Sequence, residues 1–187
     1  LDDQFSIAHI GSLLNERNPE VLWKVLADLC DENEEFSQRL KLKFAGAIGE
    51  DVKGSLIKFG LAEKSDFLGY LSHPEALMLQ RQVQVLLLLE IDSPETRAII
   101  PGKLFEYLNA RRPVLALGPQ GSDIKEIIEE TRSGSFFNYA EEKRLKLQIL
   151  DFFRQFQAGT LKSSESDISS FSRRSLNEKM SELIHTF

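Results

Sequence analysis

Lys103 and Glu106 follow Pro101-Gly102 at a point where an apolar stretch gives way to a helical one. Unbonded backbone N–H groups and the positive end of the helix dipole favour an anion at such a helix start. Lys103 adds a full positive charge there. Glu106 lies on the side of the helix opposite the apolar Leu104, Phe105, Tyr107 and Leu108 when residues are spaced at 3.6 per turn. A carboxylate beside an anion site is suited to accept two hydrogen bonds from a ribose diol while cations hold the phosphates. The chemistry suggested is recognition of a nucleoside diphosphate. The same residues also fit a plainer account, in which Gly102 makes a tight turn, Lys103 is solvated and Glu106 is a surface helix residue.

The elements that would position these groups follow from periodicity. Strands are expected at Phe5–Ile10, Leu40–Ala45, Asp66–Gly69, Val83–Glu90, Pro113–Leu117 and Ser135–Asn138. Helices are expected over Pro19–Asp31, where Val21, Leu22, Val25, Leu26 and Leu29 form a stripe, and around Asp51–Phe59. Further helices are expected from the capping-box pattern Ser72-His73-Pro74-Glu75 to Gln82, over Gly102–Ala110, from Asp123 with Glu126 three residues on, and over Glu141–Gln157. Asn18-Pro19 reads as an N-cap followed by proline at the first helical position. Strand and helix alternate throughout, which predicts an α/β, Rossmann-like three-layer sandwich with a mostly parallel sheet. Ligands of such sheets sit beyond the carboxyl ends of the strands.

Composition narrows the function classes. A chain of 187 residues that is 42% hydrophobic suits one globular domain, and a formal net charge of −6 lacks the dense basic face that nucleic-acid binding requires. No nucleic-acid partner is expected. The single cysteine, Cys30, cannot form an internal disulfide, favours a reducing compartment and reads as a buried structural thiol. The run Val85–Leu89 is far shorter than the roughly 20 residues that span a bilayer. The histidines His9, His73 and His185 have no partner spacing typical of zinc, so no metal is expected. The start Leu1-Asp2-Asp3-Gln4, without initiator Met or signal pattern, reads as a piece of a longer protein.

The string from Ile100 to Ala116, Ile-Pro-Gly-Lys-Leu-Phe-Glu-Tyr-Leu-Asn-Ala-Arg-Arg-Pro-Val-Leu-Ala, resembles the donor-binding segment of bacterial GT-B glycosyltransferases of the family 4 type. Ala8–Asn18 is similar to that family's first strand and glycine loop, Asp66–Ala76 to its Gly-Tyr-x-x-x-x-Glu-Ala element, and Phe171–Leu183 to its C-terminal helix. The resemblance covers the second, donor-binding half of such an enzyme. It implies a donor domain at residues 1–160; the Ser-rich, acidic stretch 161–167 then reads as a linker, and the spacing of Leu176, Met180, Leu183, Ile184 and Phe187 as a helix at 168–187. The resemblance further implies an acceptor-binding Rossmann domain before Leu1, and a nucleoside-diphosphate-sugar donor as substrate with no cofactor.

Residue by residue, the resemblance makes Glu106 the ribose ligand and the second of a glutamate pair. The first of the pair would fall at 98, where this chain has Ala98, so a sugar contact could pass to Glu95 in the same loop. The Arg/Lys pair that grips the diphosphate maps to Ser12 and Arg17, giving a diphosphate set of Gly11, Ser12, Arg17, Pro101, Gly102 and Lys103. Gly69, Tyr70 and His73 match the segment lining the base, although His73 also reads as an exposed first-turn residue before Pro74. The implied setting is cytoplasmic, peripheral at the inner face of a membrane where the acceptor is lipid-linked, with membrane contact made by the acceptor-binding half. A nucleotide-sugar epimerase or phosphorylase of the same plan is the enzymatic alternative. A receiver-like interaction module is the other, but Phe5–Gly11 lacks the acidic pair a receiver carries. Gly-x-Ser-x-Gly, Walker and complete Gly-x-Gly-x-x-Gly patterns are not present.

Overall fold

A computed structural model describes residues 1–162. The expected helix at 168–187, its likeness at Phe171–Leu183 and most of the 161–167 linker lie outside the described residues. Leu161, at the start of that linker, is buried against the core.

Six parallel strands form one sheet in the order β3-β2-β1-β4-β5-β6. They are β1 (Phe5–Ile10), β2 (Leu40–Ala45), β3 (Ser65–Gly69), β4 (Val85–Leu89), β5 (Val114–Gly118) and β6 (Gly134–Asn138). β1, β4 and β5 are buried along their whole lengths, as strands covered on both faces must be. β3 is an edge strand, and its Phe67 and Leu68 are exposed. The order reverses between β1 and β4, whose pairing aligns Ile7 with Val85 and Ala8 with Leu86. Sheets of this order bind ligands at that reversal.

The helices are α1 (Glu20–Glu32), α2 (Glu34–Arg39), α3 (Glu50–Lys58), α4 (His73–Gln82), α5 (Lys103–Ala110), α6 (Asp123–Thr131) and α7 (Glu142–Gln157). On one face of the sheet, Leu22, Trp23, Leu26, Leu29, Phe36, Ile149 and Phe153 pack against Phe5, Leu42, Phe44, Leu87 and Leu115. On the other, Leu79, Leu104, Tyr107, Leu108, Ile124 and Ile128 pack against Ala8, Leu86, Leu88 and Ala116. The three-layer sandwich expected from the alternation is therefore present. No helix among the described residues is long and apolar enough to cross a membrane.

Local chemistry shifts several expected boundaries. Asn18 does not cap α1: its Oδ1 accepts from Trp23 Nε1 at 2.8 Å and its Nδ2 donates to Ser55 Oγ at 2.8 Å, so Pro19 takes the N-cap position and the helix begins at Glu20. Ser122, not Asp123, caps α6, its hydroxyl accepting from Ile124 N at 3.4 Å. The capping box at α4 forms as expected, with Ser72 N donating to Glu75 Oε2 at 2.8 Å. α2 has no counterpart in the periodicity; Asn33, whose Oδ1 accepts from Phe36 N at 3.0 Å, nucleates a single short helix around buried Phe36. Cys30 is half-buried, not enclosed, and burial pushes its thiol above the usual range.

Candidate functional site at the sheet reversal

Glycines bring the loops beyond β1, β2 and β3 into contact. Gly11 N donates to Ala45 O at 2.8 Å and Gly46 N to Gly69 O at 2.7 Å, so the parallel pairing runs on past the strand ends. Gly11, Gly46 and Gly69 have φ of 120°, 117° and 65°, where a side chain is disfavoured. At Gly46 a side chain is also excluded by space, because a Cβ would lie 2.7 Å from the Gly11 carbonyl carbon and oxygen. Beyond them, Leu13 bridges Ile48, and Asn15 Oδ1 accepts from Asp51 N at 3.3 Å. Asn18, tied to Trp23 and Ser55, closes this loop, so Arg17 is presented from a braced turn.

Above these loops lies a cleft of about 660 Å³. Gly11, Ser12, Gly69, Tyr70, His73 and Glu106 all line it, although they come from three separate parts of the chain. Tyr70 is 91% exposed, leaving its ring free to cover a planar ligand. Glu106 is not the simple surface residue that helical spacing suggests. It is half-buried, and its Oε2 accepts from Gln80 Nε2 at 2.9 Å, Gln80 itself being buried on α4. Tyr107, one position on, reaches back to β1: its hydroxyl accepts from Ile10 N at 3.0 Å. α5 is thereby fixed to the strand end that carries Gly11.

The cationic side of the site adjoins Gly11. A Cβ built at Gly11 would sit 3.2 Å from Lys103 Nζ, so the glycine leaves room for the ammonium at the end of β1. Lys103 Nζ also lies 3.4 Å from His9 Nε2. His9 is buried and its Nδ1–H donates to Leu87 O at 3.0 Å, which leaves Nε2 as an acceptor facing the ammonium. Burial, reinforced by the Lys103 charge, pushes the His9 pKa down to about 3, so the ring is neutral. Arg17 Nη2 lies 3.7 Å from Glu90 Oε2. Burial raises the Glu90 carboxyl above its usual range against the pull of Arg17 and Lys103. Burial likewise lowers the Lys103 ammonium, which Glu90 partly restores.

The remaining expected residues are placed less centrally. Pro101 and Gly102 lead into α5, but their carbonyls already accept from Leu104 N at 2.9 Å and Phe105 N at 3.2 Å. Fewer helix-start N–H groups are thus left for an anion, and the positive charge comes chiefly from the Lys103 side chain. Glu95 stands on an exposed turn, Pro94–Thr96, where its carboxylate accepts from the Ser93 hydroxyl; it is not among the cleft-lining residues. Ala98, in the same loop, is exposed. Sequence reasoning missed His9, Gln80 and Glu90. Each is a polar residue within or ending an apolar element, a visible signal whose partners only the strand order supplies.

The sequence matches no protein-family model and no curated protein. Solved structures are more informative. HepE of Anabaena, in complex with UDP, matches with a TM-score of 0.74 at 16% identity, over 99% of this chain and 50% of that one. WaaG, a glycosyltransferase involved in lipopolysaccharide biosynthesis, matches with a TM-score of 0.67 at 15% identity, over 86% of this chain and 40% of that one. A sucrose-phosphate synthase from Thermosynechococcus elongatus matches with a TM-score of 0.62 at 15% identity, over 85% and 38%. This chain spans about half the length of HepE, the first of them. From its strand order, its helices on both faces and these likenesses, the chain has the fold of the Rossmann-like C-terminal domain of GT-B glycosyltransferases.

Proposed function

We propose that this chain is the donor-binding domain of a glycosyltransferase that takes its sugar from a nucleoside-diphosphate sugar. The observation that carries the reading is the meeting, at one cleft, of a half-buried carboxylate oriented by Gln80, three glycine loops and an exposed tyrosine, with Lys103 at its Gly11 edge. HepE has been solved with UDP and with UDP-glucose, which agrees with this choice of ligand. In this reading Glu106 accepts from the ribose hydroxyls, Gly69, Tyr70 and His73 border the base, and Gly11, Ser12, Arg17 and Lys103 receive the diphosphate. As the glycosidic bond to the diphosphate breaks, negative charge grows on the leaving phosphate. Lys103 and Arg17 stabilise that charge more than they stabilise the intact donor. No metal is needed for this task, since the two side chains supply the positive charge. The acceptor hydroxyl, glycan or lipid-linked, is oriented by a second, acceptor-binding domain, and any membrane association belongs to that half.

Titration of the chain with UDP, GDP and ADP, followed by calorimetry or NMR, tests the reading. Binding of at least one below millimolar concentration is expected. Glu106→Ala should weaken that nucleotide by about 10-fold or more, the worth of roughly 1.5–3 kcal/mol for hydrogen bonds to a charged group. Unchanged affinity in Glu106→Ala would remove the ribose assignment. Gln80→Ala should produce a smaller loss in the same direction, because it frees the carboxylate without deleting it.

A further inference from the structure

Glu90 follows the last residue of β4, where the strand order reverses, and the nucleotide reading does not by itself call for a carboxylate there. Its backbone is held on both sides: its N–H donates to Leu117 O at 2.9 Å, and its carbonyl accepts from the Tyr139 hydroxyl at 2.6 Å. Its side chain is only 3% exposed, yet it is poorly bonded. One oxygen lies 3.7 Å from Arg17, while Oε1 is buried with no hydrogen-bond partner among the described residues, as is Arg17 Nε. Buried charges are normally paired and fully hydrogen-bonded, so this pair is incomplete on both sides. Arg17 itself is 30% exposed, so it can turn toward a ligand.

We propose that Glu90 is the internal counter-ion of the diphosphate site. As a carboxylate it holds the charges of Arg17 and Lys103 at the sheet reversal while the cleft is empty, and it takes up one proton from solvent when a diphosphate draws them away. The proposal rests on the nucleotide-diphosphate reading given above. In the exchange the phosphate oxygens gain the two cations, and the buried carboxylate becomes a neutral acid instead of an unpaired charge.

The groups facing Glu90 support this balance. Arg17 comes from the turn after β1, Lys103 from α5, and Tyr139 from beyond β6, with Asp92 farther along Glu90's own loop. Tyr139 is held neutral by burial, with Asp92 and Glu90 adding to the shift, and His9, behind Lys103, is neutral as well. Arg17 and Lys103 therefore pull Glu90 toward the carboxylate form, against the effect of burial. Drawing them off raises its pKa further, so donor affinity is greatest below the empty-state pKa and falls as pH rises toward the bound-state value.

Two measurements on the whole chain test this. The carboxyl carbon of Glu90, followed by NMR without ligand, is expected to titrate above the ordinary glutamate value of 4.5, and higher again in Arg17→Met. Equal midpoints in the two proteins would overturn the counter-ion role. Calorimetry with UDP-glucose, in two buffers of different ionisation heat, is expected to show proton uptake that Glu90→Gln abolishes. UDP-glucose is suited to this because both its phosphates are esterified and do not titrate near neutrality. No uptake in the wild type, or equal uptake in Glu90→Gln, would overturn the proton exchange. If neither UDP-glucose nor GDP-mannose nor ADP-glucose binds, the donor reading fails, and the NMR comparison still decides whether Glu90 pairs with Arg17.

Discussion

Lys103→Met is expected to reduce nucleoside-diphosphate affinity by at least about 30-fold, the lower end of the roughly 2–5 kcal/mol that follows truncation of a desolvated charge pair. The ammonium is half-buried and rests beside Gly11, at the end of β1 that borders the cleft. Its environment also sets a pH dependence. Burial lowers the Lys103 pKa below the ordinary 10.5, and the protonated form is the one that binds phosphate. Affinity should therefore be retained at neutral pH and lost as pH rises through the lowered pKa, earlier than for a solvated lysine. Lys103→Arg should bind less well because a planar guanidinium does not reproduce the compact ammonium beside Gly11, but its affinity should not fall in that alkaline window. Nucleotide dissociation constants measured from neutral pH into the lysine range would decide the matter; identical alkaline profiles for the wild type and the arginine variant would contradict the assignment.

Gly46→Ala should both destabilise the fold and remove nucleotide binding. Alanine at φ 117° is strained, by about 1–3 kcal/mol, and its Cβ would lie 2.7 Å from backbone atoms of Gly11. Backbone cannot step aside as a side chain can, so relieving the clash separates the loops beyond β1 and β2 and adds about 1–3 kcal/mol of overpacking. The cleft floor is built from those loops. Gly60→Ala is the control: its φ is 68°, in the left-handed region, and nothing lies within 4 Å of the added carbon. A loss of only about 1 kcal/mol and intact nucleotide binding are expected for it. Urea unfolding and nucleotide titration of the two variants side by side make the comparison. If Gly46→Ala unfolds at the same midpoint as Gly60→Ala, the close approach of the loops is not what stabilises the site.

Much of the fold was legible because its periods are strong. Val85–Leu89 and Val114–Gly118 are unbroken apolar runs, as central parallel strands must be, and α7 repeats Leu145, Ile149, Phe152 and Phe153 at helical spacing. α2 escaped because six residues make too short a window for periodicity, and its only sign was a capping asparagine. Asn18 was misread for a related reason. An asparagine before a proline fits an N-cap locally, but the Trp23 indole N–H, buried with its ring, required a partner and Asn18 was within reach.

The site divides along the same line. Local sequence determined that Lys103 and Glu106 share one helix behind a glycine turn and that Gly11, Gly69 and Tyr70 end strands, because helix pitch and strand length are properties of neighbours in the chain. Only the tertiary structure decided that β1 lies beside β4. That adjacency brings His9 to Lys103 and Arg17 to Glu90 across more than seventy residues of chain, and it placed Glu106 against Gln80 instead of in open water. Charges act through distance in space and through exclusion of water, and neither quantity is written in the order of residues along the chain.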